Sequence, residues 1–306
     1  MGTIDTYVTA GARENTKRSY RSAVEHFEVQ WGGLLPASGD TIARYLAEHA
    51  STLSISTLQQ RLAALASWHR DHGFVDPTKA PLVRKVLKGI RSLHPSQQRQ
   101  ARPVQLEEVS QIVSWVDQMI SLAVDHSRRP DELRYTRDRA LLLLGFWRGF
   151  RGDELTRLRV EHTKAVAGQG ISCFLPRSKG DRNARGVTFR TPALQRLCPV
   201  DAYLAWTKVS GIKEGPVFRG IDRWGNIRPA GLHINSLVPL LRSLFLAAGI
   251  AEADEYSGHS LRRGFASWAT SNGWDLKTLM EYVGWRDVQS AIRYLETGER
   301  FGDLRK

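Results

Sequence analysis

The chain has 306 residues, 42% of them hydrophobic, which is long enough for two domains with separate cores and too apolar for a disordered polymer. Its 44 Lys and Arg against 31 Asp and Glu leave a net charge of +13, which points to a polyanionic partner, nucleic acid or an anionic membrane surface. No apolar run approaches a bilayer span and no charged start leads into an apolar stretch, so a membrane protein and a secreted one are both disfavoured. Cys173 and Cys198 fit neither a disulfide framework nor a metal-binding spacing, and they are expected as free thiols in a reducing cytoplasm.

Apolar periodicity predicts helices through the first ninety or so residues. Thr16 to Trp31 carries Tyr20, Val24, Phe27 and Trp31 on one face. Asp40 is expected to cap a helix running to His49. Ser54 or Ser56 is expected to cap the next, through Asp71, with Leu58, Leu62, Leu65 and Trp68 inward. A further helix is expected from about Pro81 to Ser92, with Pro at its start. Residues 93–103, LHPSQQRQARP, are polar and basic without periodicity and read as an interdomain linker.

Beyond the linker, Glu107 to Ile120 is amphipathic, and Thr136 to Phe150 is a strongly apolar helix expected to end near Gly149. Two strands follow, Ile171 to Pro176 and Gly186 to Arg190, joined by the basic turn SKGDRNARG. From Pro199 the pattern is helical, apart from a loop expected from Gly215 to Gly231. The last helices are expected at Ser260 to Asn272, Leu276 to Val283 and Val288 to Leu295. The fold class is mainly α: a helical front domain over 1–92 and an α+β back domain over 104–306 with one small antiparallel sheet.

Four separated places in the back domain carry cationic and proton-transferring side chains. GFRGDELTRL holds Arg151 and Glu154; the basic turn holds Lys179; SGHSLRRGF holds His259 and Arg262; VGWRDVQSAIRYL holds Trp285 and Tyr294. Together they suit phosphoryl transfer. Two guanidiniums can grip the non-bridging oxygens of a phosphodiester with paired donors. A tyrosine can attack phosphorus and hold the strand covalently. A lysine can protonate the leaving oxygen, and an imidazole can manage the nucleophile's proton. The Trp285 indole can only donate, and Glu154, one turn beyond Arg151, can orient its neighbours. Singly each has a plainer reading: a helix cap for Arg151 or His259, a solvated charge for Lys179, core packing for Trp285 and Tyr294. Order and spacing carry the argument.

The back half resembles the catalytic domain of tyrosine site-specific recombinases, the phage integrase family. The family's pattern is Arg, Lys in a β-turn, His-x-x-Arg, His or Trp, then Tyr, and here Arg151, Lys179, His259, Arg262, Trp285 and Tyr294 follow it in that order. Trp at position 285 leans toward the Cre-like branch, and ISTLQQRLAALASWHRDHG is similar to a DNA-facing helix of Cre-like proteins. The resemblance implies a core-binding front domain and a catalytic back domain. It implies cutting and rejoining of DNA through a 3′-phosphotyrosine link and a Holliday junction, with Tyr294 as nucleophile and no metal or nucleotide cofactor. It implies double-stranded DNA with inverted-repeat sites, a homotetramer on DNA, an accessory DNA-bending protein in some members, and the task of integrating, excising or resolving a mobile element. Only twelve residues follow Tyr294, short for the C-terminal helix that family members commonly extend into a neighbouring protomer.

The helix from Ser56 to Asp71 is expected to present Ser56, Thr57, Gln59, Gln60 and Arg61 outward, residue types suited to base edges in the major groove. Arg182 in the basic turn and Arg263 beside Arg262 are expected on the DNA as well. A type IB topoisomerase-like relaxase would use the same catalytic residues, and a non-catalytic DNA-binding protein could keep the fold. A membrane-surface protein would need a basic amphipathic helix with a large apolar face, and none stands out. A cytoplasmic protein, associated with the bacterial nucleoid when on DNA, is the expectation.

Overall fold

In the computed structural model the described residues are 14–95, 100–176 and 185–292, and the chain divides into two units, Met1–Arg99 and Gln100–Lys306. The first contains α1 (Glu14–Glu25, continued by a π-helical turn His26–Gln30), α2 (Gly39–Glu48), α3 (Ile55–Asp71) and α4 (Pro81–Leu93). Their facing stripes bury Phe27, Ile42, Tyr45, Leu46, Leu58, Leu65, Val83 and Ile90 in one cluster, the periodicity that predicted the helices. Two details differ from or sharpen the expectation. Ser38, not Asp40, caps α2 by accepting from the Thr41 amide at 3.2 Å, which places Asp40 in the first turn, where its charge favours the helix dipole. Ser54 rather than Ser56 caps α3, accepting from the Thr57 amide at 3.1 Å.

The second unit is arranged around α6 (Arg129–Arg148), which follows α5 (Leu106–Asp125). Leu141 to Phe146 of α6 are buried without interruption, because helices pack on more than one side of it. A short helix α7 (Gly152–Thr156) leads into a three-stranded antiparallel sheet, β1 (Thr163–Val166), β2 (Gly170–Leu175) and β3 (Val187–Pro192). Cys173 opposes Phe189 and Leu175 opposes Val187 across β2 and β3. The expectation of two strands missed β1, whose burial pattern of alternating half-buried and exposed residues is too short to stand out.

Helix α8 (Pro199–Ser210) is followed by a second element that the sequence reading took for loop, the hairpin β4 (Arg219–Ile221) and β5 (Ile227–Gly231). Its turn is closed by the Asp222 carboxylate, which accepts from the amides of Trp224 and Asn226 at 2.9 Å each. The chain then runs through α9 (Ile234–Ala247), α10 (Ser260–Ser271), α11 (Leu276–Val283) and α12 (Val288–Ile292). Both cysteines are free and buried. Cys198 has a local task as the α8 cap, its sulfur 3.5 Å from the Asp201 amide. Among the described residues no helix is long and apolar enough to cross a membrane.

The last residues of the expected linker belong to the second unit. Arg102 bridges Glu108 and Glu252 at 2.9 Å each. Val104, fully buried, donates its amide to the Ser260 carbonyl at 3.2 Å. A Cβ on Gly264 would stand 1.9 Å from the Val104 carbonyl oxygen, so this crossing of the chain over α10 exists only because residue 264 has no side chain.

Candidate active site

The site grows from the end of α6. Gly149 takes φ +58°, the left-handed cap conformation that glycine adopts at little cost, and turns the chain out of the helix. Phe150 is buried there against Phe189, ring centroids 5.2 Å apart, and Arg151 follows as the N-cap of α7. Glu154, one turn into α7, reaches back. Its Oε2 accepts from the Arg151 amide at 3.0 Å and its Oε1 from Arg151 Nη1 at 2.7 Å. The carboxylate is 1% exposed, so it serves as an internal strut that fixes the Arg151 guanidinium.

Arg262 enters from α10 on the other side of the same carboxylate, Nη1 lying 4.0 Å from Glu154 Oε2 with both side chains 1% exposed. Its guanidinium donates to the Gly149 carbonyl at 2.5 Å and the Val283 carbonyl at 3.3 Å, tying the ends of α6 and α11 together. Gly284, at φ +74°, ends α11 and turns the chain so that Trp285 comes over Arg262, ring centroid to Cζ 4.9 Å. Arg151, Glu154, Arg262 and Trp285, scattered over 135 positions of sequence, thus share one place. The arrangement offers guanidinium donors backed by a buried carboxylate, beside an indole donor, which is chemistry for holding an anion.

His259, the N-cap residue of α10, is exposed, with its amide donating to Ser257 Oγ at 3.1 Å. The loop before it is anchored by Tyr256, whose hydroxyl donates to Glu108 Oε1 at 2.7 Å and whose carbonyl accepts from Arg242 Nε at 2.8 Å. Burial first, then the Glu108 carboxylate, keeps the Tyr256 phenol protonated well above its ordinary range. Arg263 is half-buried and donates to Gln100 Oε1 within its own unit. Lys179, Arg182 and Tyr294 lie outside the described residues.

In the first unit, Ser56 and Gln59 are exposed on α3 and Thr57 is half-buried. Gln60 is half-buried and its bond to α1 is exposed to solvent, whereas the expectation that Arg61 points outward is corrected. Gln60 donates to the Ser19 hydroxyl at 2.7 Å. Arg61 Nη1 donates to His26 Nδ1 at 2.7 Å and to the Tyr45 hydroxyl at 2.8 Å. The physical reason is that α1 packs along α3 and supplies acceptors one turn away, which a periodicity reading of α3 alone does not contain.

Sequence reading passed over three residues around the site. Arg148 is buried between the rings of Phe189 and Tyr282. The Tyr282 hydroxyl donates to the Trp147 carbonyl at 2.9 Å, with Thr191 Oγ1 at 3.3 Å. The one available signal was an arginine closing the apolar run from Ala140 to Trp147, which reads by default as a C-terminal charge facing solvent.

The phage integrase family profile matches residues 107–299, well over half of the chain. The chain belongs to the phage integrase family. Among curated relatives, the integrase/recombinase xerD homolog of Selenomonas ruminantium is 30% identical over 301 residues, covering 95% of this chain and 84% of that protein. The recombinase cre of Escherichia phage P1 is 24% identical over 273 residues, covering 85% and 76%. Among solved structures, XerH recombinase in a post-cleavage complex with a palindromic difH substrate superposes with a TM-score of 0.62 at 18% identity, over 90% of this chain and 75% of that one. A lambda integrase dimer bound to a COC′ core site gives 0.62 at 16% identity, over 99% and 97%. The structural matches establish the shared fold: a helical N-terminal part and a C-terminal part of the catalytic-domain type found in this family. With membership, the coarse activity is that of a tyrosine recombinase, a DNA strand transferase.

Proposed function

We propose that this phage integrase family member is a site-specific recombinase that cuts and rejoins double-stranded DNA at inverted-repeat sites, with Tyr294 as the covalent nucleophile. The observation that carries the reading is Glu154 standing between Arg151 and Arg262, with Trp285 over the second guanidinium. On this reading the two arginines clamp the non-bridging oxygens of the scissile phosphate and Glu154 fixes their spacing. Trp285 Nε1 supplies a further donor, and the exposed His259 handles a proton at the nucleophile or the phosphate. Lys179 protonates the departing 5′-oxygen. The tyrosyl oxygen forms the new bond to phosphorus as the bond to the 5′-oxygen breaks, so the link conserves the phosphodiester's energy for rejoining.

The finer reading follows the same chemistry. Four protomers assemble on two sites, exchange strands in pairs through a Holliday junction, and so integrate, excise or resolve a mobile element. An accessory DNA-bending protein assists, and the protein is nucleoid-associated while on DNA. The front unit contacts duplex DNA through Ser56, Thr57 and Gln59 of α3. Arg182 and Arg263 contribute to the phosphate backbone, Gln60 stays on the reading face, and Arg61 supports that face from within. The net charge of +13 supplies the sequence-independent share of that binding.

The test uses a nicked suicide duplex carrying the inverted repeats that flank the gene. The wild-type chain should accumulate a covalent adduct, and Tyr294→Phe should bind the same duplex with no adduct. An adduct in the phenylalanine variant overturns the nucleophile assignment. Relaxation of supercoiled plasmid lacking the repeats, at the rate seen with them, would favour a topoisomerase-like activity instead.

A further inference from the structure

Arg148 closes α6 and is sealed inside the second unit, 6% exposed. The Phe189 ring of β3 and the Tyr282 ring of α11 lie against its guanidinium, centroids 4.6 and 4.1 Å away. Its Nε and Nη1 are fully enclosed and find no hydrogen-bond partner among the described residues. No carboxylate among the described residues comes within ion-pairing distance of it. Burial pulls its pKa down to about 10, which still leaves it charged near neutral pH.

The titratable groups that face it are Tyr282 from α11, Cys173 from β2 and Glu154 from α7. Burial raises the Tyr282 phenol and pushes the Cys173 thiol up to about 11, so both stay neutral. Glu154 is the anion of the three, and it is already bonded to Arg151. A buried cation with unfilled donors weakens a fold, and the two rings offset only part of that cost. A methionine of similar length would fill the same slot without it. The placement therefore calls for a reason other than stability.

The reason lies next door. The neighbouring Gly149 carbonyl accepts from Arg262, and so does Val283, next to Tyr282. Phe189 stands in β3, the strand that follows Lys179 in the sequence. Arg148, Arg151 and Arg262 carry three positive charges against one on Glu154, so Arg148 leaves the centre with the excess that Glu154 would otherwise halve. We propose that Arg148 is an electrostatic positioning residue for strand cleavage: its enclosed, uncompensated charge favours the anions, phosphodiester transition state and tyrosinate, that gather over Arg151 and Arg262. This rests on the reading of Arg151 and Arg262 as the phosphate clamp and Tyr294 as the nucleophile.

The experiment compares full-length wild type, Arg148→Met, Arg148→Lys and Tyr294→Phe for thermal midpoint, binding to the repeat-containing duplex, and single-turnover cleavage of the nicked suicide duplex across pH. Arg148→Met should be at least as thermally stable as wild type and bind DNA equally. It should cleave about tenfold or more slowly, the effect of removing a unit charge that acts through the protein interior. The rising limb of its rate should move to higher pH, because removing a positive charge from the centre makes it harder for the attacking tyrosine to lose its proton. Arg148→Lys, which keeps a charge but not the planar stack, should cleave faster than Arg148→Met. A wild-type rate and pH limb in Arg148→Met overturn the proposal. So does a slow Arg148→Met that is also less stable with an unmoved limb, which marks Arg148 as packing alone. An adduct in Tyr294→Phe overturns the site reading beneath it; a dead Tyr294→Phe beside an unaffected Arg148→Met overturns the Arg148 inference alone.

Discussion

Glu154 holds Arg151 at two points, accepting the Arg151 amide on one oxygen at 3.0 Å and the Arg151 guanidinium on the other at 2.7 Å. The backbone bond caps α7 and the side-chain bond aims the guanidinium, so one carboxylate links a local fold to the site. Glu154→Gln keeps the shape but replaces one acceptor oxygen with a donor and removes the charge beside two arginines. It should lower stability by about 1–3 kcal/mol, the range for a buried bond left unmatched. It should slow cleavage by up to about a hundredfold, because a loosened guanidinium misplaces its donors. Urea unfolding and suicide-substrate kinetics on the same preparation check both, and DNA affinity should change little.

Arg262 has two tasks, and lysine performs neither well. It ties the Gly149 and Val283 carbonyls, and in the proposed mechanism it also presents donors to the phosphate. Arg262→Lys keeps the charge without the planar fork, so cleavage should fall by about 10²-fold or more. The same substitution at Arg151, which has 21% of its side chain exposed, should be gentler on stability and as harmful to cleavage. Cleavage at the wild-type rate in either lysine variant would remove that arginine from the clamp.

Gly264 fixes how closely residues before α5 cross α10. A Cβ there would meet the Val104 carbonyl oxygen at 1.9 Å, the Val104 carbonyl carbon at 2.9 Å and the Phe146 ring at 3.0 Å. Two of these atoms are backbone, which cannot rotate aside. Gly264→Ala should therefore cost roughly 1–3 kcal/mol through overpacking and break the Val104 to Ser260 bond. Denaturation together with faster amide exchange at Val104 tests this; an alanine variant as stable as wild type would show that the crossing yields.

The first unit carries a pH-sensitive contact. The pKa of His26 lies below its ordinary 6.5 because of burial first, then the charge of Arg61, then His49. A histidine depressed in the folded state takes up its proton more readily unfolded, so its contribution is present above about 6.5 and is lost as pH falls through that value, levelling off below the folded-state pKa. Protection of the α1 to α3 amides, measured against their intrinsic exchange rate at each pH, should therefore fall with acidification. Arg61→Met should weaken that dependence without abolishing it, while its lost bonds to His26 and Tyr45 cost roughly 1–2 kcal/mol. In a binding selection, Gln59→Ala should change the preferred bases and Arg61→Met should not; altered preference in Arg61→Met would put that side chain on the DNA.

What the sequence determined by itself was whatever neighbouring residues encode. The stripe of Leu58, Leu62 and Leu65 announces a helix because burial follows a period set within a few residues. Gly149 and Gly284 mark helix ends because left-handed backbone is a property of one residue. The motif series was legible for a related reason: the chemistry demands particular side chains, and their order survives in the string. Tertiary structure decided what depends on residues far apart in the chain. β1, β4 and β5 are too short to show alternation and exist through pairing. Arg61 turns inward because His26, at the end of α1, offers an acceptor. Glu154 meets Arg262 only when α10 crosses the end of α6, and Arg148 becomes an enclosed cation only when Phe189 and Tyr282 close over it. Electrostatic roles of this kind follow from distance and enclosure, and neither is a property of any one segment.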